Sequence, residues 1–140
     1  MGYVLRSLLA MLPVVSLAAP AMARDENRLA NTQWVLVAIV EGDEASLPVE
    51  GTEVTLEFRN DGIAAGRACN LYQGQYTVEG NALSFGDMAT TLMLCPEEES
   101  AQEGRYYGAL RSADSFEFRG RQLEIEYGDG KGTLVFARDR

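Results

Sequence analysis

The sequence predicts a mainly β (α+β) domain: a small antiparallel, barrel-like sheet of seven or eight strands, with one helix inserted before the last three. Two observations carry this. Short runs of alternating apolar and polar residues recur along the chain, separated by glycine-bearing turns such as Asn60–Gly62 and Gly128–Gly132, the pattern of antiparallel strands. One segment, Pro96–Ser112, breaks that period of two and carries Tyr106, Tyr107 and Leu110 at the spacing of a helix face.

The first residues do not belong to that pattern. "MGYVLR" holds one charge, Arg6. It is followed by the apolar run Ser7–Ala19 and by the small-x-small triplet Ala21–Met22–Ala23. Residues 1–23 therefore read as a Sec signal peptide cleaved after Ala23, with a buried N-terminal helix as the competing reading. The run is too short to cross a bilayer, which takes about 20 residues, and no cysteine near the cleavage point suggests a lipid anchor. Residues 24–140 would then form one exported, periplasmic domain, long enough for one core and not two.

The strands follow in order. Thr32–Val40 is apolar on both faces and should be well covered. Val54, Leu56 and Phe58 face one way and Glu53, Thr55, Glu57 and Arg59 the other. Gly62 suits a hairpin turn into "IAAG". Next, Tyr72, Tyr76 and Val78 alternate with Gln73, Gln75 and Thr77; Glu79–Asn81 turns the chain, and Leu83 and Phe85 point inward. "SFEFR", "QLEIEY" and "GTLVFA" make the last three strands. In the helix between, Pro96 suits the first helical position, and Glu97–Glu99 suit the positive end of the helix dipole. Gly104 and Gly108 each weaken it by about 1 kcal/mol.

Charge excludes some partners. Removing the leader with Arg6 takes the formal charge from −9 to −10. The remaining basic residues form no stripe, so nucleic acid is not an expected partner, and an acidic surface is repelled by anionic membranes. Two cysteines, Cys69 and Cys95, in an exported chain read as one disulfide. Closing that loop is worth about 3.5 kcal/mol on the chain-entropy argument. Free buried thiols and a redox pair are the competing readings, and the spacing is not the CxxC of thiol oxidoreductases.

Several motifs together resemble the META domain (HslJ-like) family of small bacterial envelope and secreted proteins. They are "LANTQWVL", then "ACN-x-Y-x-G-x-Y" from Ala68 to Tyr76, then "TTLMLC" from Thr90 to Cys95. "E-x-x-Y-Y-x-A-L" from Glu103 to Leu110 and the closing "L-E-I…TLVF" complete the set. The resemblance runs over about residues 29–137 and implies a compact, mainly-β domain with one helix. Members are associated with heat-shock response, antibiotic tolerance, motility or secretion, without a common biochemical activity. One departure stands out: the family usually has glycine before the cysteine, and this chain has Ala68. If that position needed a positive φ, alanine would be strained there.

The chemistry-bearing residues are sparse. No histidine occurs, which removes Ser-His-Asp and Cys-His mechanisms and the usual zinc sites. Glu103 is the one acid set on the apolar helix stripe with Tyr106, Tyr107 and Leu110. It could be a general acid of raised pKa. The stronger reading is a half-buried carboxylate accepting hydrogen bonds from backbone, Asn70 or tyrosine hydroxyls. Trp34, Tyr72, Tyr76, Tyr106 and Tyr107 could line a ligand groove but fit a core better. Glu41–Glu44, Glu97–Glu99 and Gly128–Gly132 match neither an EF-hand nor a P-loop and read as solvated loops and a helix start. No catalytic residue, cofactor or metal is therefore expected. The expectation is a monomeric, non-catalytic binding protein of the envelope, acting on an unknown protein or small ligand, with Asn70, Tyr72, Tyr76 and Glu103 as its structural motif. The alternative is an inhibitor of an envelope or extracellular hydrolase, using the exposed loop of residues 41–51.

Overall fold

The computed structural model describes residues 27–140, together with Gly2 and residues 10–15. The cleavage point after Ala23, and all of the leader apart from those positions, lie outside the described residues. In chain order the elements are β1 (Thr32–Glu41), β2 (Glu44–Ser46), β3 (Thr55–Phe58), β4 (Ile63–Arg67), β5 (Leu71–Glu79) and β6 (Ala82–Thr90). There follow α1 (Glu97–Arg111), β7 (Ala113–Arg119), β8 (Gln122–Tyr127) and β9 (Gly132–Arg138). Neighbouring strands pair antiparallel from β3 to β9, and β1 closes the ring by pairing with both β3 and β9. The result is an eight-stranded barrel with β2 as one extra strand.

β2 arises where the sequence reads as a solvated loop. β9 runs along one edge of β1, from Trp34↔Arg138 to Glu41↔Gly132. On the other edge β3 reaches only Thr32–Val35, so the backbone groups of Ile39–Glu41 need another partner. Glu44–Ser46 folds back to supply it. β1 itself is covered on one face rather than both. A bulge between Leu36 and Ala38 brings Trp34, Leu36 and Ile39 to the interior, while Val35, Val37 and Val40 stay half-buried outside. A closed barrel has a single interior, and the outward valines are shielded only by neighbours.

Side chains fill the interior, as in other small barrels. Trp34, Leu56, Phe58, Leu83, Leu123, Ile125, Leu134 and Phe136 are all fully buried, and Tyr76 stands edge-on to Phe58 at 5.0 Å. At one end, α1 turns Tyr106, Tyr107, Ala109 and Leu110 into this core. Tyr106 meets Tyr72 at 5.8 Å and Phe136 at 6.4 Å, both edge-on. The helix begins at Glu97, and Pro96 is the N-cap, with φ −53° and ψ 149°, rather than the first helical residue as expected. Its fixed φ and extended ψ suit the entry to a helix without donating a hydrogen bond.

The staves are not paired equally. β6 and β7, the strands on either side of α1 in sequence, share one bridge, Ala82↔Ser115. Beyond it, the Phe116 N–H donates to the Asn81 carbonyl at 2.9 Å. By contrast β8 and β9 pair over six consecutive residues. The barrel is thinnest where the helix is inserted.

Candidate functional site

The chain's polar residues converge at the barrel rim beside α1. β4 ends at Arg67, and Ala68–Cys69–Asn70 turns into β5. Two close approaches shape this corner. The Tyr72 hydroxyl donates to the Thr55 carbonyl at 2.6 Å. A side chain on Gly66 would overlap that same carbonyl oxygen, so only glycine fits in β4 there. Ala68 is buried, and its N–H donates to the Asn70 carbonyl at 2.9 Å. It is not among the residues with positive φ, so alanine in place of the family's usual glycine carries no strain.

Asn70 is the hub. It is only 6% exposed, a buried amide that must find partners. Its Oδ1 accepts from the Thr91 hydroxyl at 3.0 Å and from the Met93 N–H. Its Nδ2 donates to Glu103 Oε1 at 2.9 Å. On the other oxygen, Glu103 Oε2 accepts the Cys69 N–H at 2.8 Å, the Asn70 N–H at 2.6 Å and the Tyr107 hydroxyl at 3.5 Å. Thr91 also accepts the Leu71 N–H at 3.1 Å, and its own N–H donates to the Leu71 carbonyl at 3.0 Å. Cys69 and Cys95 form a disulfide with Cα atoms 6.3 Å apart. The Cys69–Asn70 corner, the Thr91–Cys95 loop and α1 are thus joined by one covalent and several charge-assisted links.

This geometry decides the chemistry of Glu103. Burial pushes its pKa up. The Asn70 N–H, the Asn70 amide, the Cys69 N–H and the Tyr107 hydroxyl outweigh that and hold the carboxyl below the usual range. The raised pKa of a general acid is the opposite direction. Tyr72 and Tyr106 share a 2.6 Å hydroxyl contact. The Tyr72 proton goes to Thr55, so Tyr106 is the donor between the two. Burial pushes both phenols up and keeps them neutral. Tyr107 is raised by burial and then by the Glu103 charge. Tyr76 lies apart from this cluster, on β5, and donates to the Arg59 carbonyl at 2.6 Å. Trp34 is deep in the barrel with its Nε1–H on Thr32 Oγ1 at 2.7 Å.

Two contributors are not among the site residues expected from the sequence. Gln102, 9% exposed, accepts the Val49 N–H at 2.6 Å and donates to Thr52 Oγ1 at 3.2 Å, which pins the segment after β2 to α1. The signal for it is a polar residue four before Tyr106 on the buried helix stripe. Thr91 is the other, a hydroxyl at the end of β6. A separate groove of about 670 Å³ lies at the β6–β7 seam, with Arg28, Asn81, Phe116, Phe118, Glu124 and Glu126 among its walls. Its acids already have partners: Glu117 and Glu124 lie 3.5 and 2.9 Å from Arg119, and Glu126 is bonded to Ser115, itself in the groove wall, at 3.3 Å. Among the described residues, no group of three or more acids and cysteines could hold a metal ion.

Residues 27–140 match the META domain family. The chain belongs to that family. The solved structures agree with this META domain in architecture. An NMR structure of a protein from Burkholderia xenovorans is 29% identical, with a TM-score of 0.69, over 92% of this chain and 97% of that one. A second NMR structure is 20% identical, with a TM-score of 0.61, over 78% of this chain and 90% of its own. A DUF4847 family protein from Bacteroides vulgatus is 14% identical, with a TM-score of 0.62, over 82% and 97%. These last two show the fold alone. No curated protein shows significant similarity to the chain.

Proposed function

We propose that this META domain is an exported, periplasmic, monomeric protein without catalytic activity, which acts by binding a protein or small ligand in envelope stress response or maintenance. The observation that carries the reading is the state of Glu103. The one acid on the apolar helix stripe spends both oxygens on four donors and is held ionised, so it has no proton to give at neutral pH. The filled barrel supports the same conclusion, and the disulfide suits an oxidising compartment. A narrower version, inhibition of an envelope or extracellular hydrolase, is favoured by Leu47. It is 78% exposed on a segment that Gln102 holds in place.

The test is a comparison of native protein with Glu103→Gln, checked for folding by circular dichroism. Saturable capture of one periplasmic partner after heat stress, by both forms, supports binding. Turnover of a substrate by the native form that disappears in folded Glu103→Gln would establish an enzyme instead.

A further inference from the structure

The Thr91–Cys95 loop combines rigidity with exposure in an unusual way. Leu92 is 95% exposed, Leu94 is fully exposed, and Met93 and the adjoining Leu71 are about half exposed. Scattered single leucines are ordinary on a surface; three consecutive exposed apolar residues are a different matter. A loose loop could at least fold such side chains inward. This one is fixed at both ends and in the middle: Thr91 on Asn70 and Leu71, the Met93 N–H on Asn70, and Cys95 on Cys69. A buried amide and the disulfide hold an apolar loop facing outward, which removes the ordering cost that a flexible loop would incur on binding.

We infer that residues 91–95 are a preorganised docking loop for a protein partner with an apolar cleft and a basic rim. This deepens the binding reading above and rests on it. Charge selects the partner. Exposed Glu97 and Glu98 follow the loop after Pro96, at the start of α1, and the whole chain carries −9. A second copy would bring like charges against each other, and an anionic membrane surface would repel the same acids. A protein cleft that takes Leu92 and Leu94 and meets the glutamates with arginine or lysine satisfies both features.

The test places a photo-crosslinking amino acid at Leu92 or, separately, at Leu47 of the full chain in envelope extract. The crosslinked protein is identified, purified and titrated. The expected result is crosslinking from Leu92 to a protein other than this chain. L92A/L94A should then weaken its affinity by about tenfold or more, at an unchanged melting temperature. E97Q/E98Q should flatten the loss of affinity with added salt. Unchanged affinity of L92A/L94A for that protein overturns the assignment. So do crosslinks only between copies of this chain, or loop-dependent binding to phosphatidylglycerol vesicles. Crosslinking from Leu47 without Leu92 sinks the loop but keeps the binding reading; crosslinking from neither sinks both.

Discussion

The rim clamp and the β6–β7 seam lie on either side of the same insertion, yet they are built in opposite ways. At the seam, one bridge and the Phe116 to Asn81 bond hold two strands together. At the clamp, a disulfide, Asn70 and Glu103 fasten the connection between those strands to the β4–β5 corner. The contrast teaches that the barrel is not closed by strand pairing alone. Where the ladder is thin, the excursion through the Thr91–Cys95 loop and α1 is tied down instead, and the ties limit how far β6 and β7 can part.

Breaking the covalent tie should have the largest effect. Cys69→Ala/Cys95→Ala, or reduction, is expected to cost about 3.5 kcal/mol in denaturant melts. Asn70→Ala comes next. It leaves the Met93 N–H and one Glu103 oxygen without their protein partner, for a loss of about 2–3 kcal/mol. Glu103→Gln should cost about 1–2 kcal/mol at pH 7, because the site is only half-buried and keeps its shape. Its pH dependence has a definite sign. The native carboxyl titrates below its unfolded value of about 4.3. The charge therefore stabilises fully above that pH, and the contribution disappears as pH falls through the depressed folded value. Glu103→Gln should flatten this acid limb of the stability curve. Tyr72→Phe probes the buried hydroxyl pair beside the clamp. Tyr106 would lose its buried acceptor, at a cost of about 1–2 kcal/mol. Exposed Arg119, paired with half-buried Glu124, takes no part in the clamp, and Arg119→Ala should change stability by less than about 0.5 kcal/mol.

Most of this fold was legible in the sequence because barrel staves obey a simple period. The alternations in β3, β5 and β8 show directly which side chains face in. Their limits are equally physical. The bulges in β1 and between β5 and β6 shift the register by local backbone geometry that period-two reading does not see. β2 exists only because β3 is too short to satisfy β1, a fact about a partner rather than about Glu44–Ser46. In the site, Glu103 and Asn70 stand out by a helix stripe and a family motif. Gln102 belongs to no motif, and its partner Val49 lies 53 residues away. Thr91 falls within "TTLMLC", but nothing in that run points to its bond with Asn70, 21 residues away. The exposure of Leu92 and Leu94 is also a property of the fold, because an apolar triplet beside a cysteine would ordinarily read as core.

If the clamp secures the thin seam, native-state hydrogen exchange of the Phe116 amide will show it. In Asn70→Ala, the protection of Phe116 should fall further than that of the Ile125 and Leu134 amides of the β8–β9 pair, a local opening added to the global loss. An equal fall at all three amides would mean that the clamp adds only general stability and does not hold the seam.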